Sequence, residues 1–213
     1  MVSRTPCIRT PHARAPHARA PDTARRSERA RRAILAASMR LVGEVGYTGL
    51  TIEAIAARAG VGKQTIYRWW PSKAAVLLDA FTSAAARPER EQGVPDTGDL
   101  EADLKRVLRD TADEFADPEF EAPYRALAVA AAADAEVSAR IRERLLEPAR
   151  ERYLRRLRSA RDAGRIAPDA DLPLAVELLT APFQQRWLQR TGPLTPEFTD
   201  ALVEQVLRGL APR

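Results

Sequence analysis

The sequence predicts an all-α protein: a helix-turn-helix head followed by a larger helical body. Three observations carry that prediction. Ala, Arg, Leu and Glu dominate while aromatic residues make up only 6%, a composition that favours helices over sheets. Apolar residues recur at i, i+3, i+4 and i+7 through most of the chain, the period of one buried helical face. No segment shows the clear period-2 alternation of a half-buried strand.

Length and composition narrow the class further. The 213 residues, 45% apolar and 30% charged, are enough for a sizeable core in a soluble globular protein. No run approaches the roughly 18 apolar residues of a membrane span. The basic N-terminus (Arg4, Arg9, Arg14, Arg19) has no apolar stretch behind it and does not read as a signal peptide. The single cysteine, Cys7, excludes an internal disulfide and fits a reducing cytoplasm.

Residues 1–24 contain a tandem PHARA repeat (Pro11 to Ala15 and Pro16 to Ala20) without an apolar period, and are expected to be a disordered basic tail. Both histidines, His12 and His17, lie there without neighbours to complete a ligand set. Neither a metal nor a cofactor is therefore expected. Two readings of the tail stand: a mobile arm that reaches a neighbouring minor groove, or a segment upstream of a later true start.

A helical stripe begins at Ala24 with Ile34, Ser38, Leu41, Val42 and Val45, and Gly46 offers its stop. Thr51 caps a short second helix carrying Ile52, Ile55, Ala56 and Ala59. Gly60 ends it, because the turn needs positive φ. A third helix is expected from about Lys63 to Trp70. Pro71 breaks it, and Ser72 caps a fourth helix running to about Ala86. These segments make a head over residues 25–86. Residues 87–98, with Pro88, Gly93, Pro95 and Gly98, read as a linker. The body, 99–213, reads as helices of about 99–116, 118–132, 134–162, 171–190 and 195–210. Pro148 and Pro182 fall inside two of them and imply kinks or breaks.

Charge divides along the same boundaries. The net +5 resolves into +3 for the tail, +6 for the head and −4 for the rest. A basic head on a mildly acidic body points to a polyanionic partner, or to a solvated surface. The helix-turn-helix residues favour the first. Gly60-Val61-Gly62 supplies a turn and an apolar anchor, and Ile66 and Trp70, four apart, can pin the second helix to the core. Lys63, Gln64, Thr65, Tyr67 and Trp69 then occupy its other surfaces. Gln and Lys can reach base edges, while the Thr and Tyr hydroxyls can reach phosphates or bases.

Across residues 31–81 the chain resembles the DNA-binding domain of the TetR/AcrR-type transcriptional regulators. The match is densest at Gly46-Tyr47, Leu50-Thr51, Ile55-Ala56, Ala59-Gly60-Val61, Thr65-Ile66-Tyr67 and Ser72-Lys73. The resemblance implies that Thr51 is a phosphate-contacting cap, that Lys63, Gln64 and Thr65 read bases, and that Tyr67 grips the backbone. Trp69 stands where a Tyr, Phe or His is more frequent and keeps a ring at the groove edge. Lys73 matches a phosphate-binding lysine; Tyr47 and Trp70 are assigned to packing.

The resemblance also implies a homodimer formed by the last two long helices and an effector pocket in the body. Ala175, Leu178, Leu179, Phe183 and Leu188 make one apolar surface and Phe198, Leu202, Val206 and Leu210 another, compatible with a four-helix interface or with internal core. Candidate pocket residues are Phe115, Phe120, Tyr124, Phe183 and Trp187, with Arg125 and Gln184 as polar handles; core packing is the alternative for each aromatic. The function so implied is a cytoplasmic, non-enzymatic DNA-binding regulator. It would be a repressor released from a palindromic operator by a small molecule that the sequence does not identify. An architectural protein coating DNA without sequence preference is the alternative.

Overall fold

The computed structural model describes residues 20–85 and 93–212. The arginines Arg4, Arg9, Arg14 and Arg19 lie outside the described residues, as do Cys7, both histidines and the first part of the linker. Every regular element among the described residues is helical.

The head comprises α1 (Ala20–Gly49), α2 (Ile52–Ala59), α3 (Lys63–Tyr67) and α4 (Lys73–Ala85). The first helix starts at Ala20, so 20–24 are helical backbone rather than part of an irregular tail. It is interrupted at Gly46, whose φ of 66° and ψ of 179° turn the chain toward α2. Ile34, Leu41 and Val42 are buried as the stripe requires, and Ser38 joins them by donating to the Leu35 carbonyl at 2.8 Å. Val45 departs from the stripe and is 48% exposed. The helix is interrupted one residue later, and Val45 instead covers Gly49.

The body comprises α5 (Leu100–Ala116), α6 (Pro118–Ala133), α7 (Ala135–Ile141), α8 (Glu147–Asp162), α9 (Leu172–Gln189) and α10 (Pro196–Leu210). Side chains of Asp99, Asp117, Asp134, Asp171 and Thr195 accept from amides in the first turns of α5, α6, α7, α9 and α10. Each satisfies a donor that the helix itself leaves unpaired. The single helix expected over 134–162 is divided. A π-helical segment, Arg142–Leu146, separates α7 from α8, and Pro148 sits in the first turn of α8, where its missing N–H costs nothing. The α9 helix runs through Pro182 without a break.

Two apolar cores form. One joins α1, α2, α3 and α4 to Ala126, Leu127 and Ile141 of the body. The other packs α5, α8, α9 and α10. Phe120 and Tyr124 border both. Of the linker, 93–98 is tied to the body: Thr97 donates twice to Asp103, Ser159 donates to Asp96, and Arg156 donates to the Pro95 carbonyl.

Candidate nucleic-acid interface

The geometry of the head follows from its turn. Thr51 has extended backbone (φ −132°, ψ 153°), and its Oγ1 accepts from the Ala54 amide at 3.1 Å. The hydroxyl hydrogen stays available for an outside acceptor. Gly60 adopts φ 68°, ψ 34°, and the Val61 amide returns to the Ala56 carbonyl at 3.0 Å. A side chain at Gly60 would meet no atom within 4 Å, so the left-handed backbone alone favours glycine there.

The third helix is shorter than its sequence pattern implies. It ends at Tyr67, and the Trp69 and Trp70 amides both close on the Ile66 carbonyl. Ile66 is fully buried and Trp70 nearly so, which fixes how α3 leaves the core. Lys63, Gln64 and Tyr67 are exposed along the other face, while Thr65 and Trp69 are half-buried. The Trp69 ring stands edge-on to Trp70, with centroids 5.4 Å apart, and carries the Arg68 guanidinium 5.0 Å from its centre. Arg68, also exposed, is a cation the sequence reading overlooked. Its signal was a lone charge between two aromatics at the end of the reading stretch.

Lys63 reaches back to Glu53 at 3.3 Å. The Glu53 carboxyl is held below its ordinary value by its own backbone hydrogen bond and by Lys63. An exposed pair of this kind is worth little and yields readily to a better partner. Arg58 is bound bidentately to Glu44, at 2.9 and 2.8 Å, and braces α2 against α1.

Lys73 is engaged within the head. Its Nζ is half-buried and donates to the carbonyls of Tyr47 and Leu50, each at 2.8 Å. Those carbonyls flank the end of α1, and the Tyr47 carbonyl also accepts from the Leu50 amide at 3.3 Å. The ammonium therefore closes the corner between α1 and α2, with one donor left over.

A cavity of about 630 Å³ opens in the body beneath α4. Phe115, Phe120, Tyr124, Phe183 and Gln184 line it, together with Phe81 and Thr82 of α4, Arg144 and Leu145 of the π segment, and Tyr153. Burial pushes the Tyr153 hydroxyl up to about 12, despite its hydrogen bond with Thr111, so it stays neutral. Two expected residues do not line the cavity. Trp187 lies behind the wall, edge-on to Phe115 with centroids 5.0 Å apart. Arg125 lies over the Trp187 ring at 4.3 Å and donates to the Trp187 and Leu188 carbonyls and to Glu121. Two of its donors cap the end of α9 and a third ties it to α6.

Residues 34–80 match the family described as bacterial regulatory proteins, tetR family, and residues 94–206 match the tetracyclin repressor-like C-terminal domain. The chain belongs to the TetR family. It is 30% identical to the DNA-binding transcriptional repressor TetR of Mycobacteroides abscessus over 85% of its own length and 94% of that protein. The crystal structure of the TetR family transcription regulator SCO0332 superposes with a TM-score of 0.64 at 35% identity, over 84% of this chain and 99% of that one. The FadR regulator from Bacillus subtilis, solved with stearoyl-CoA, shares the fold at 18% identity, with a TM-score of 0.68 over 84% and 98% of the two chains. The chain is thus a DNA-binding transcription regulator and not an enzyme. Among the described residues no helix is long and apolar enough to cross a membrane.

Proposed function

We propose that this regulator is a repressor that grips a two-fold-related operator as a homodimer and is released by a small molecule in the body cavity. The observation that carries the DNA-binding part is the exposed face of α3. Lys63, Gln64 and Tyr67 project from a helix anchored by Ile66 and Trp70, with the Thr51 hydroxyl at the start of α2. In this reading Lys63 and Gln64 address base edges. Thr65 reaches bases beside them, Thr51 and Tyr67 hold phosphates, Trp69 packs along the sugar–phosphate edge, and Arg68 adds a cation beside it. Lys73 acts mainly by shaping the corner that presents Thr51.

The dimer reading is supported by Leu174 and Leu178, each about half exposed on α9. They border a groove between α9 and α10 whose floor includes Leu202, Val206 and Leu210. Two copies paired there would set their α3 helices in successive major grooves, roughly 34–36 Å apart. The effector reading is supported by the aromatic-walled cavity and by the bound ligand of the FadR relative. The cavity lies within the usual range of small-molecule sites, about 300–1,000 Å³.

Selection of bound duplexes from random DNA, with the mass of the free protein in solution, tests this reading. A recovered site with half-site symmetry and a dimeric mass support it. A site without symmetry and a monomeric mass overturn it. An affinity ratio near one between recovered and random duplexes would favour the architectural alternative instead.

A further inference from the structure

The carboxylate of Asp79 faces two parts of the molecule at once. Asp79 lies on α4 with its side chain 17% exposed. Its Oδ2 serves the head, accepting from Trp70 Nε1 at 2.9 Å and from Arg31 of α1 at 3.2 Å. Its Oδ1 serves the body, accepting from Arg144 Nη1 at 2.6 Å. Arg144 belongs to the π segment and lines the cavity with Leu145, facing Phe81 and Thr82 of α4. Trp70, at the other end, shares the Ile66 carbonyl with Trp69 and packs edge-on against it.

An unbroken series of contacts thus runs from the cavity wall through Arg144, Asp79 and Trp70 to the end of α3. Two properties make it responsive. The π segment is a wide turn, a rare conformation that recurs where helices do functional work. The two oxygens belong to one rigid, planar group, so a rotation that follows Arg144 on one side must displace the acceptor of Trp70 on the other. Burial pushes the Asp79 carboxyl up, but the bonds from Trp70, Arg144 and Arg31 outweigh it and hold it below its ordinary value. The group is an anion whenever these partners are in place.

We propose that Asp79 is the positioning residue that transmits the state of the cavity to the recognition helix, with Arg144 as its cavity-side contact. The proposal rests on reading the chain as a ligand-responsive regulator. A molecule seated against the π segment moves Arg144, Oδ1 loses its cation, and the carboxylate turns. The Trp70 Nε1 bond then lengthens, and α3 leaves the core at a changed angle. A ligand acts this way only to the extent that it binds one arrangement better than the other.

The test needs no ligand. Indole N–H resonances of ¹⁵N-labelled full-length protein are recorded for the wild type, Arg144→Gln, Arg144→Lys and Trp70→Phe, the last assigning Trp70. Affinities are measured for the recovered duplex and for a random one. We expect Arg144→Gln to shift the Trp70 resonance while Trp187 stays in place. Affinity for the recovered duplex should change by about fivefold or more, the lower end of usual couplings between sites. Arg144→Lys should restore most of both. A purely structural Arg144 would lower the melting temperature with the Trp70 resonance unmoved, and that result overturns the proposal. If the wild type selects no duplex, the DNA-binding reading fails by itself, and the Trp70 resonance still decides the relay.

Discussion

The ammonium of Lys73 sits 4.4 Å from the centroid of the Tyr47 ring while donating to the Tyr47 carbonyl at 2.8 Å. One cation thus holds both the ring and the backbone of the residue after the Gly46 break. A hydrogen bond to a charged group contributes about 1.5–3 kcal/mol, and because the two bonds from one half-buried ammonium do not add in full, Lys73→Met should destabilise the protein by about 2 kcal/mol. For a chain of this size that lowers the melting temperature by about 4–8 °C. A salt slope of DNA binding reduced by about one unit, with melting unchanged, would mark Lys73 as a phosphate contact instead.

The exposed face of α3 should divide by role. Gln64→Ala is expected to relax preference at one or two base pairs, by about 1–3 kcal/mol. Tyr67→Phe should weaken all duplexes alike. Selection repeated with each variant checks both, and an unchanged consensus for Gln64→Ala would remove it from the base readers.

Several helix limits were legible because end signals are local, although α3 stops at Tyr67 rather than Trp70. Thr51, Asp171 and Thr195 cap within three residues of themselves, and Gly60 announces its own positive φ. The apolar period likewise placed Ile55 and Ile66 inside. Partnerships across the fold were not legible. Arg125 meets the end of α9 sixty-three residues away, and no periodicity records which carbonyls lack a donor there. Lys73 was read, from the resemblance, as a phosphate-binding lysine; its two carbonyl partners were not legible, because the break at Gly46 that turns them toward it is a matter of backbone path. The π segment escaped notice because one wide turn leaves the apolar period of 134–162 nearly intact.

Buried charge should govern acid stability. Asp103 and Arg156 are both buried, joined at 2.8 and 3.0 Å. Burial pushes the Asp103 carboxyl up, but Thr97 and Arg156 overrule it and hold it below its ordinary value. A depressed carboxyl stabilises the fold above the unfolded value of about 3.9, and the contribution is lost as pH falls from there toward the folded value. Urea melts between pH 7 and 3 should show this loss, with a flatter profile for Asp103→Asn. Arg156→Ala leaves the buried carboxylate without its cation, held by Thr97 only, and should cost about 3–5 kcal/mol at neutral pH.

Leu178 offers a test of the pairing surface. Leu178→Arg places a charge on an exposed position that helps line the groove between α9 and α10. The folded monomer should tolerate it, since surface changes rarely exceed about 0.5 kcal/mol. Sedimentation should nevertheless report half the wild-type mass, and a persisting dimer would place the interface elsewhere.

The core shared by α1, α2 and α4 with Ala126, Leu127 and Ile141 bears on how such proteins are recombined. The head is not a portable cassette. A chimera joined at the linker would set these three side chains against a foreign surface, with gaps or clashes that each cost stability. Transplanting the reading specificity of this chain onto another regulator therefore calls for exchanging the face of α3 alone, or for carrying the matching faces of α6 and α7 along with the head.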